Sequence, residues 1–105
     1  MKFERLPQFL TDWAKLSEAE QQLFRQVMRE KFGPACIGYA DALPATYTWP
    51  AALRVHPMKG KTKAWEMTWS FKQPSMRATF HLETEDAQVV LYWRRIGDHS
   101  IYDEP

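Results

Sequence analysis

The chain has 105 residues, of which 45% are hydrophobic, and its 14 Lys and Arg against 13 Asp and Glu give a formal net charge of +1. This length allows one domain with a single two-layer core, which we expect to span residues 1–105. No apolar run approaches the roughly 18 residues of a membrane helix, no signal peptide is recognisable, and the lone cysteine excludes an internal disulfide, so we expect a cytoplasmic protein that does not enter membranes.

The first third of the sequence predicts an antiparallel helical hairpin. Pro7 suits the first turn of a helix, and an apolar stripe follows it at helical spacing. Ser17 and Glu20 form a capping box that begins the second helix. Its apolar stripe ends at Gly33-Pro34, a pair that stops helices. The stripes consist of Phe9, Leu10, Trp13 and Leu16 in the first helix, and Leu23, Phe24, Val27, Met28 and Phe32 in the second.

Residues 34–52 predict a loop with at most one short helical turn, because they hold prolines and many small residues. A period of two then indicates strands in AWEMTWSF (64–71) and MRATFHLE (76–83). QVVLYWRRI (88–96) is apolar on both sides, as an inner strand should be. Shorter strands are possible at residues 2–5 and 53–57.

These elements predict an α+β fold: an N-terminal helical hairpin packed on a mostly antiparallel, twisted, four-stranded sheet, in two layers. The face of the sheet away from the helices would display Glu66, Arg77, His81 and, depending on register, Arg94 or Arg95. His99 and Tyr102 follow the last strand directly. Three separate regions of the sequence can therefore converge on one polar surface.

A cluster of basic residues could bind phosphate although the protein is nearly neutral. Arginine suits bidentate contacts with phosphate, and lysine contributes a point charge. Arg77 stands out because it lies in mid-strand, where it must pair, for example with Glu66 across the sheet, or bind an anion. For any single lysine a solvated rim is the simpler interpretation. The candidates are Lys59, Lys61, Lys63, Arg77, Arg94 and Arg95.

The same surface carries candidates for proton transfer. Cleavage of RNA by its own 2′-hydroxyl needs a base for that hydroxyl, an acid for the leaving oxygen and cations for the developing charge. Glu66, His99 and Tyr102 could fill the first two roles, and Arg77 the third. A tyrosine base would need its pKa lowered by nearby cations. For Tyr102 simple packing at the sheet edge is an equal alternative, and for His56, just before Pro57, a structural role is favoured.

We expect no metal and no cofactor, because the histidines and the cysteine lack ligand-pair spacing. The sequence also has no Gly-rich phosphate loop and no GxSxG nucleophile. Trp65 and Trp69 follow the apolar period and belong to the core. Trp49 could stack on a base or on a partner helix.

AWEMTWSF, MRATFHLE and VVLYWRRIGDHSIYDEP resemble the sheet and tail of the RelE/ParE toxin superfamily, on the RelE-like side. LRVHPMKG resembles the strand and basic loop before that sheet. The resemblance covers roughly residues 50–105, and WRRIGDHSIY is its most specific element, followed by RATF. The helical hairpin agrees in pattern more than in letters.

The resemblance implies a bacterial toxin that cuts messenger RNA on the ribosome and is silenced by an antitoxin that wraps it. It implies that basic residues hold the phosphate and that Arg95 supports this contact. It also implies that a histidine or tyrosine near the end of the chain transfers a proton. In some branches a glutamate of the sheet is the base. The matching positions here are Lys59, Lys61 and Arg77 for phosphate, His99 and Tyr102 for proton transfer, and Glu66 for the base.

Our first interpretation is a metal-independent endoribonuclease toxin whose partners are an antitoxin, messenger RNA and the ribosome, with no small-molecule cofactor. Which of Glu66, His99 and Tyr102 is base or acid stays open. One alternative is a non-catalytic gyrase inhibitor of the ParE type. The other is a degenerate module on the same fold that binds only protein, which the low net charge favours. His99 and Tyr102 beside Arg77 favour the nuclease, since a binder needs no proton-transfer groups.

Overall fold

The computed structural model describes residues 1–42, 47–60, 63–72 and 75–105. The helices are α1 (Pro7–Lys15), α2 (Glu18–Val27) and α3 (Gly33–Asp41); the strands are β1 (Lys2–Arg5), β2 (His56–Pro57), β3 (Trp65–Ser70), β4 (Met76–Glu85) and β5 (Gln88–Gly97). Across these described residues the strands form one five-stranded sheet in the order β1-β5-β4-β3-β2. Within them, no helix has the length and apolar character needed to cross a membrane.

The helical hairpin is present as the sequence predicts. Pro7 occupies the first turn of α1, and Ser17 caps α2. The Ser17 hydroxyl accepts from the Glu20 backbone N–H at 3.1 Å, and the Glu20 carboxylate accepts from the Ser17 N–H at 2.8 Å. This reciprocal pair satisfies two backbone donors at the helix start.

The prediction that Gly33-Pro34 stops the second helix is wrong. The chain instead passes through a π-turn, Met28–Phe32, and continues as α3 to Asp41. In the wider turn the Gly33 N–H donates to the Met28 carbonyl, five residues back. A Cβ at position 33 would lie 2.5 Å from that oxygen, so only glycine fits there. Pro34 is in the first turn of α3, where its missing N–H costs little stability. A helix thus replaces the first part of the loop expected at 34–52.

The sheet is mostly antiparallel, as predicted, with one more strand than expected. β1 pairs parallel to β5, so the brief strand at the start of the chain is confirmed, and all other neighbours are antiparallel. The segment 53–57 contributes only His56 and Pro57 as β2. It is preceded by a short 3₁₀ helix, Ala51–Leu53, and by Arg54 in the left-handed backbone region, which prevents a longer strand.

The core between helices and sheet centres on Trp93 of β5. Its ring lies 5.4–5.8 Å from the rings of Phe9, Phe24, Phe32 and Phe80, which belong to both helices, the π-turn and β4. Aromatic pairs at this spacing contribute beyond the area they bury. Phe71, the last residue of the predicted strand AWEMTWSF, lies past the end of β3 and is exposed.

A register shift in the β4–β5 pair separates the two arginines of WRRI. Thr79 faces Arg95, and the next residue, Phe80, faces Trp93, so Arg94 is an extra residue in β5. Such a bulge changes which way the following side chains point. Arg94 consequently reaches His81 on the polar face, and Arg95 reaches Asp12 on α1.

Candidate active site on the polar face of the sheet

Glu66 is the centre of a charged cluster on the face of the sheet away from α1 and α2. Its Oε1 lies 2.8 Å from His56 Nε2 of β2 and 3.0 Å from Arg77 Nη1 of β4. The pairing of β2 with β3 puts His56 directly opposite Glu66. The Glu66 side chain is only 6% exposed, the Arg77 side chain 18%, and the His56 side chain 52%. The buried Glu66 carboxylate therefore contacts both the Arg77 cation and a solvent-facing imidazole.

The contacts of His56 require a proton between its ring and Glu66. His56 Nδ1 lies 2.8 Å from the Arg54 carbonyl oxygen, and a carbonyl only accepts, so Nδ1 carries a hydrogen. A neutral ring would then present a lone pair to Glu66 at 2.8 Å. Attraction at that distance needs a hydrogen on either Nε2 or the carboxyl oxygen. His56 and Glu66 therefore share a transferable proton at the solvent edge of the cluster.

A short 3₁₀ helix after β5, His99–Asp103, brings the end of the chain to this cluster; we call it the tail helix. Asp98 begins it by accepting from the Ser100 N–H at 2.8 Å. The buried Ile101 anchors it, and a Cβ at Gly97 would lie 3.1 Å from the Ile101 side chain. Close approach at a glycine thus folds the tail helix back onto β5.

Tyr102 of the tail helix joins the cluster directly. The Arg77 guanidinium lies 5.7 Å from its ring centroid, and the Tyr102 hydroxyl is near enough to Glu66 and Arg77 for both to shift its pKa. Burial and the hydrogen bond to Glu66 raise the pKa of Tyr102 to about 12, against the lowering effect of Arg77. A tyrosine base would need a lowered pKa, but here burial and the carboxylate outweigh the effect of the cation. Tyr102 is therefore a hydrogen-bond donor near neutral pH.

The structure brings together all four predicted acid–base and charge-stabilising residues. Glu66 pairs with Arg77, the Arg77 guanidinium lies over the Tyr102 ring, and His99 stacks on Tyr102 with ring centroids 5.4 Å apart and planes at 20°. His99 is exposed. The predicted pairing of Arg77 with Glu66 across the sheet is present.

The predicted phosphate-binding lysines lie in the segment that joins β2 to β3, whose strands hold His56 and Glu66. Lys63 is ion-paired with Glu83 of β4 at 2.7 Å, although its side chain is 62% exposed. Lys59 is exposed. Lys61 lies outside the described residues.

Arg95 lies apart from this cluster. Its Nε donates to Asp12 Oδ2 at 2.6 Å, and Nη1 donates to the Glu104 carbonyl at 2.9 Å. These contacts tie α1 and the end of the chain to β5. Asp12 raises the pKa of Arg95, mainly through their hydrogen bond. The structure thus gives Arg95 a structural contact and does not bring it to Glu66 and Arg77.

His81, expected as an exposed strand residue, is buried. Its Nδ1 lies 3.0 Å from Arg94 Nη1, and its ring stacks on Tyr92 at 4.9 Å. Burial lowers its pKa, followed by repulsion from Lys63 and Arg94, which favours a neutral ring that accepts from Arg94. The Arg94 Nε donates to the Pro105 carbonyl at 2.9 Å, so this pair also holds the tail.

Polar atoms next to the Glu66–Arg77 pair lack hydrogen-bond partners among the described residues. They are Thr68 Oγ1, Thr79 Oγ1 and Arg77 Nε, all buried. Thr68 pairs with Arg77 across the strands, and Thr79 pairs with Glu66. A buried polar atom without a hydrogen-bond partner lowers the stability of the fold. Three such atoms lie around the Glu66–Arg77 pair. In the same described parts of the chain, no group of three or more His, Cys, Asp or Glu side chains could hold a metal ion.

Sequence reasoning missed His56. Its position just before Pro57, at a junction between a strand and a loop, favoured a structural role. The signal that could have identified it is register: an antiparallel hairpin closed by the lysine-rich segment puts residue 56 opposite Glu66. Such a pairing brings the two side chains to the same face.

Comparison with known proteins supports the fold, although the sequence similarity is low. No protein-family model and no curated protein sequence matches the chain significantly. Solved structures match over nearly the whole chain. A YoeB/ParE toxin from Agrobacterium tumefaciens has a TM-score of 0.62 and 12% identity, covering 94% of this chain and 99% of that one.

The second match is a chain of the intact E. coli RelBE toxin–antitoxin complex, with a TM-score of 0.52, 12% identity, and coverage of 92% and 94%. The third is a conserved hypothetical protein from Helicobacter pylori, with a TM-score of 0.53, 16% identity, and coverage of 95% and 96%. At these identities the likeness concerns the fold. The chain therefore has the α+β fold of the RelE/ParE toxin superfamily, as its sequence predicts.

Proposed function

We propose that the chain is the toxin of a toxin–antitoxin pair and that it cleaves messenger RNA on the ribosome, without a metal or cofactor. One observation carries the proposal: His56, Glu66 and Tyr102, three groups able to accept or donate protons, meet beside a single cation, Arg77, on the open face of the sheet. A purely structural surface has no need for this combination. The fold shared with RelE/ParE toxins agrees with it.

Arg77 is proposed to hold the phosphate at which the chain is cut. Its guanidinium has five N–H donors, and Glu66 engages Nη1, so donors remain for a phosphate oxygen. Lys59 and Lys63 at the edge of the cluster would attract the neighbouring phosphates. Lys61 belongs to the same basic segment by sequence. A cation at the reacting phosphate stabilises the negative charge that builds up during transfer.

Glu66 and His56 are proposed to supply the base. The carboxylate, or the imidazole after the shared proton has moved to the carboxyl, removes the hydrogen of the 2′-hydroxyl. The 2′-oxygen then bonds to phosphorus as the bond to the 5′-oxygen breaks, which yields a 2′,3′-cyclic phosphate and a free 5′-hydroxyl. A positioned base contributes about 10²–10⁴-fold to such a reaction.

His99 is proposed to protonate the leaving 5′-oxygen. It is exposed and is held by stacking on Tyr102, and histidine titrates nearest to neutral pH. Tyr102, whose pKa is raised to about 12, stays protonated and fixes Glu66 through its hydrogen bond. Its role is to position the carboxylate and to support His99.

The partner that controls this activity is proposed to be an antitoxin protein, and the site of action the bacterial cytoplasm. The fold neighbour in the E. coli RelBE complex was solved together with its antitoxin. The polar face of this chain would have to be covered or distorted to silence the enzyme.

The test is primer extension on a defined messenger RNA after incubation with the purified chain, with and without programmed ribosomes, combined with analysis of the new 3′ ends. The expected result is breaks with ribosomes that end in 2′,3′-cyclic phosphate. Breaks with 3′-hydroxyl ends would contradict in-line attack by the 2′-hydroxyl. An absence of breaks from folded chain in both reactions would overturn the nuclease assignment.

A second candidate is a toxin that acts by binding alone, as a gyrase inhibitor or protein-interaction module would. Two observations favour it: Arg77 is already paired with Glu66, and the net charge of +1 is low for a protein that binds RNA. Under this candidate, His99→Ala and Tyr102→Phe would retain growth inhibition. Under the nuclease proposal both variants lose it while still binding the antitoxin.

A further inference from the structure

Arg54, two residues before His56, has a left-handed backbone, with φ 48° and ψ 43°. Residues other than glycine adopt this conformation at a cost in free energy. Among the described residues, the other non-glycine residues with positive φ are Asp86 and Ala87. They connect β4 to β5 as a two-residue hairpin turn, which favours positive φ. Arg54 instead ends a short 3₁₀ helix, where glycine is the usual residue, so its strain points to a further role.

The chain is fixed on both sides of this strained residue. The Arg54 N–H donates to the Ala51 carbonyl at 3.2 Å, which closes the 3₁₀ helix. The Leu53 side chain, next to Arg54, is buried in the core. On the other side, Pro57 restricts His56 to an extended backbone, and β2 pairs with β3 at that point. The left-handed residue therefore makes the turn between two anchored segments.

The turn brings the Arg54 carbonyl oxygen to within 2.8 Å of His56 Nδ1. A carbonyl oxygen only accepts hydrogen bonds, so it stabilises a hydrogen on Nδ1. The hydrogen bond of one ring nitrogen determines which role the other nitrogen can take. His56 Nε2 lies 2.8 Å from Glu66 Oε1. Nε2 is therefore the nitrogen that can exchange a proton with the carboxylate.

The side chain of Arg54 is engaged away from the Glu66–Arg77 pair. Its guanidinium lies 5.1 Å from the centroid of the Phe71 ring, a cation–π contact. Phe71 lies past the end of β3, whereas Glu66 is the second residue of that strand. Arg54 thus reaches the cluster through its backbone carbonyl, and its charge lies elsewhere.

We propose that Arg54 is a positioning residue for the base of the proposed nuclease. Its left-handed backbone turns its carbonyl oxygen onto His56 Nδ1, which keeps a hydrogen on that nitrogen and leaves Nε2 to exchange a proton with Glu66. Strained backbone that fixes a reactive group is typical of functional sites. The role rests on the proposed function because it takes His56 as part of the base, but the state of the ring nitrogens can be measured without RNA.

Two substitutions at Arg54 separate its backbone from its charge. Arg54→Val and Arg54→Asn remove the same positive charge and the same contact with Phe71. Asparagine tolerates the left-handed region, whereas the β-branched valine resists it. Arg54 is exposed, so neither side chain has to enter the core. The matched control is Ala87→Val, which introduces the same strain at an exposed turn away from His56.

The first measurement is nuclear magnetic resonance of ¹⁵N-labelled histidine rings near neutral pH, since the nitrogen chemical shift reports whether that nitrogen carries a hydrogen. The His56 signals are identified by their loss in His56→Ala. In the parent chain, His56 Nδ1 should carry a hydrogen. In Arg54→Val its signal should move toward the shift of a nitrogen with a lone pair, while Arg54→Asn and Ala87→Val should keep the parent shift.

The second measurement is the single-turnover rate of RNA cleavage by the same folded proteins. Arg54→Val should lose about tenfold, which is less than the loss in His56→Ala, because a displaced base still contributes. Arg54→Asn and Ala87→Val should cleave at close to the parent rate. In the His56→Ala background, Arg54→Val should cause no further loss, because its effect acts through the ring.

Equal losses of rate in Arg54→Val and Arg54→Asn would assign the effect to the arginine charge and overturn the proposal. A parent His56 Nδ1 without a hydrogen would also overturn it, as would an unchanged Nδ1 signal in Arg54→Val. If the folded parent chain cleaves no RNA, the nuclease proposal fails, and the ring signals alone decide whether Arg54 positions His56.

Discussion

Asp12 joins α1 to the end of β5, and its charge should be needed for stability. The carboxylate side chain is 6% exposed. Oδ2 accepts from Arg95 Nε at 2.6 Å and from the Ile96 N–H at 3.2 Å, and Oδ1 accepts from Arg95 Nη2 at 3.2 Å and from Gln8 at 3.3 Å. Asp12→Asn keeps the shape and removes the charge, so Arg95 loses its ionic partner.

Hydrogen bonds to a charged group contribute about 1.5–3 kcal/mol each, and removing one partner of a buried ion pair costs about 3–5 kcal/mol. The amide keeps one acceptor oxygen and Arg95 is partly exposed, so we expect Asp12→Asn to lower the free energy of unfolding by about 2–3 kcal/mol at pH 7. For a domain of this size that corresponds to a fall in Tm of roughly 8–24 °C.

The effect should depend on pH in a defined direction. Burial alone would raise the pKa of Asp12, but the hydrogen bonds from Arg95, Ile96 and Gln8 outweigh it, and the pKa is lowered in the folded chain. A carboxyl with a lowered folded pKa contributes stability that is fully present above its unfolded pKa, about 3.9, and that is lost as pH falls through the folded value. The difference between the parent and Asp12→Asn should therefore be constant from about pH 5 to 8 and shrink below about pH 4.

Urea denaturation of both proteins across this pH range is the assay. The control is Asp86→Asn, in an exposed turn with a left-handed backbone that asparagine tolerates, and its effect should stay within about 0.5 kcal/mol. An Asp12→Asn effect as small as the control, or one that does not shrink in acid, would refute the reasoning.

Further substitutions test the remaining contacts. Ser17→Ala should lower the free energy of unfolding by about 1 kcal/mol, because it removes half of the capping box, and thermal melting measures the loss. Gly33→Ala should also destabilise, although alanine favours helices, since the new Cβ would lie 2.5 Å from the Met28 carbonyl oxygen; a stabilised variant would argue against the π-turn. Tyr102→Phe keeps the ring stack and loses a hydrogen bond to a charged group, so RNA cleavage should fall by about 10- to 100-fold. His56→Ala should slow cleavage by about 100-fold with little change in Tm, because the side chain is half exposed, and an unchanged rate would remove His56 from the proposed base.

The parts of the fold that follow from local chemistry could be predicted from the sequence. The capping box at Ser17, the period of two in β3 and β4, and the doubly apolar β5 each determine an element through nearby residues. The continuation of helix through Pro34 could not be predicted in this way. It depends on a widened turn in which Gly33 meets Met28, a contact that a general helix-stop pattern does not contain.

The candidate site could be predicted only in part from the sequence, for the same reason. Alternation puts Glu66 and Arg77 on one face, so their pairing was predictable. The partner of Arg95 depends on one extra residue in β5, and the register shift directs that side chain to Asp12. The pKa of Tyr102 depends on whether Glu66 or Arg77 dominates its surroundings, which needs the position of the tail helix.

The most direct test of the central proposal is the single-turnover rate of messenger RNA cleavage on programmed ribosomes by the parent chain, Glu66→Gln and Glu30→Gln. Glu30 is an exposed residue of the π-turn, so the control makes the same chemical change away from the cluster. We predict that Glu66→Gln, shown to be folded by denaturation, cleaves at least about 100-fold more slowly than the parent chain. Glu30→Gln should cleave at the rate of the parent. Equal rates for all three proteins, or no cleavage by the folded parent chain, would contradict an active site built around Glu66.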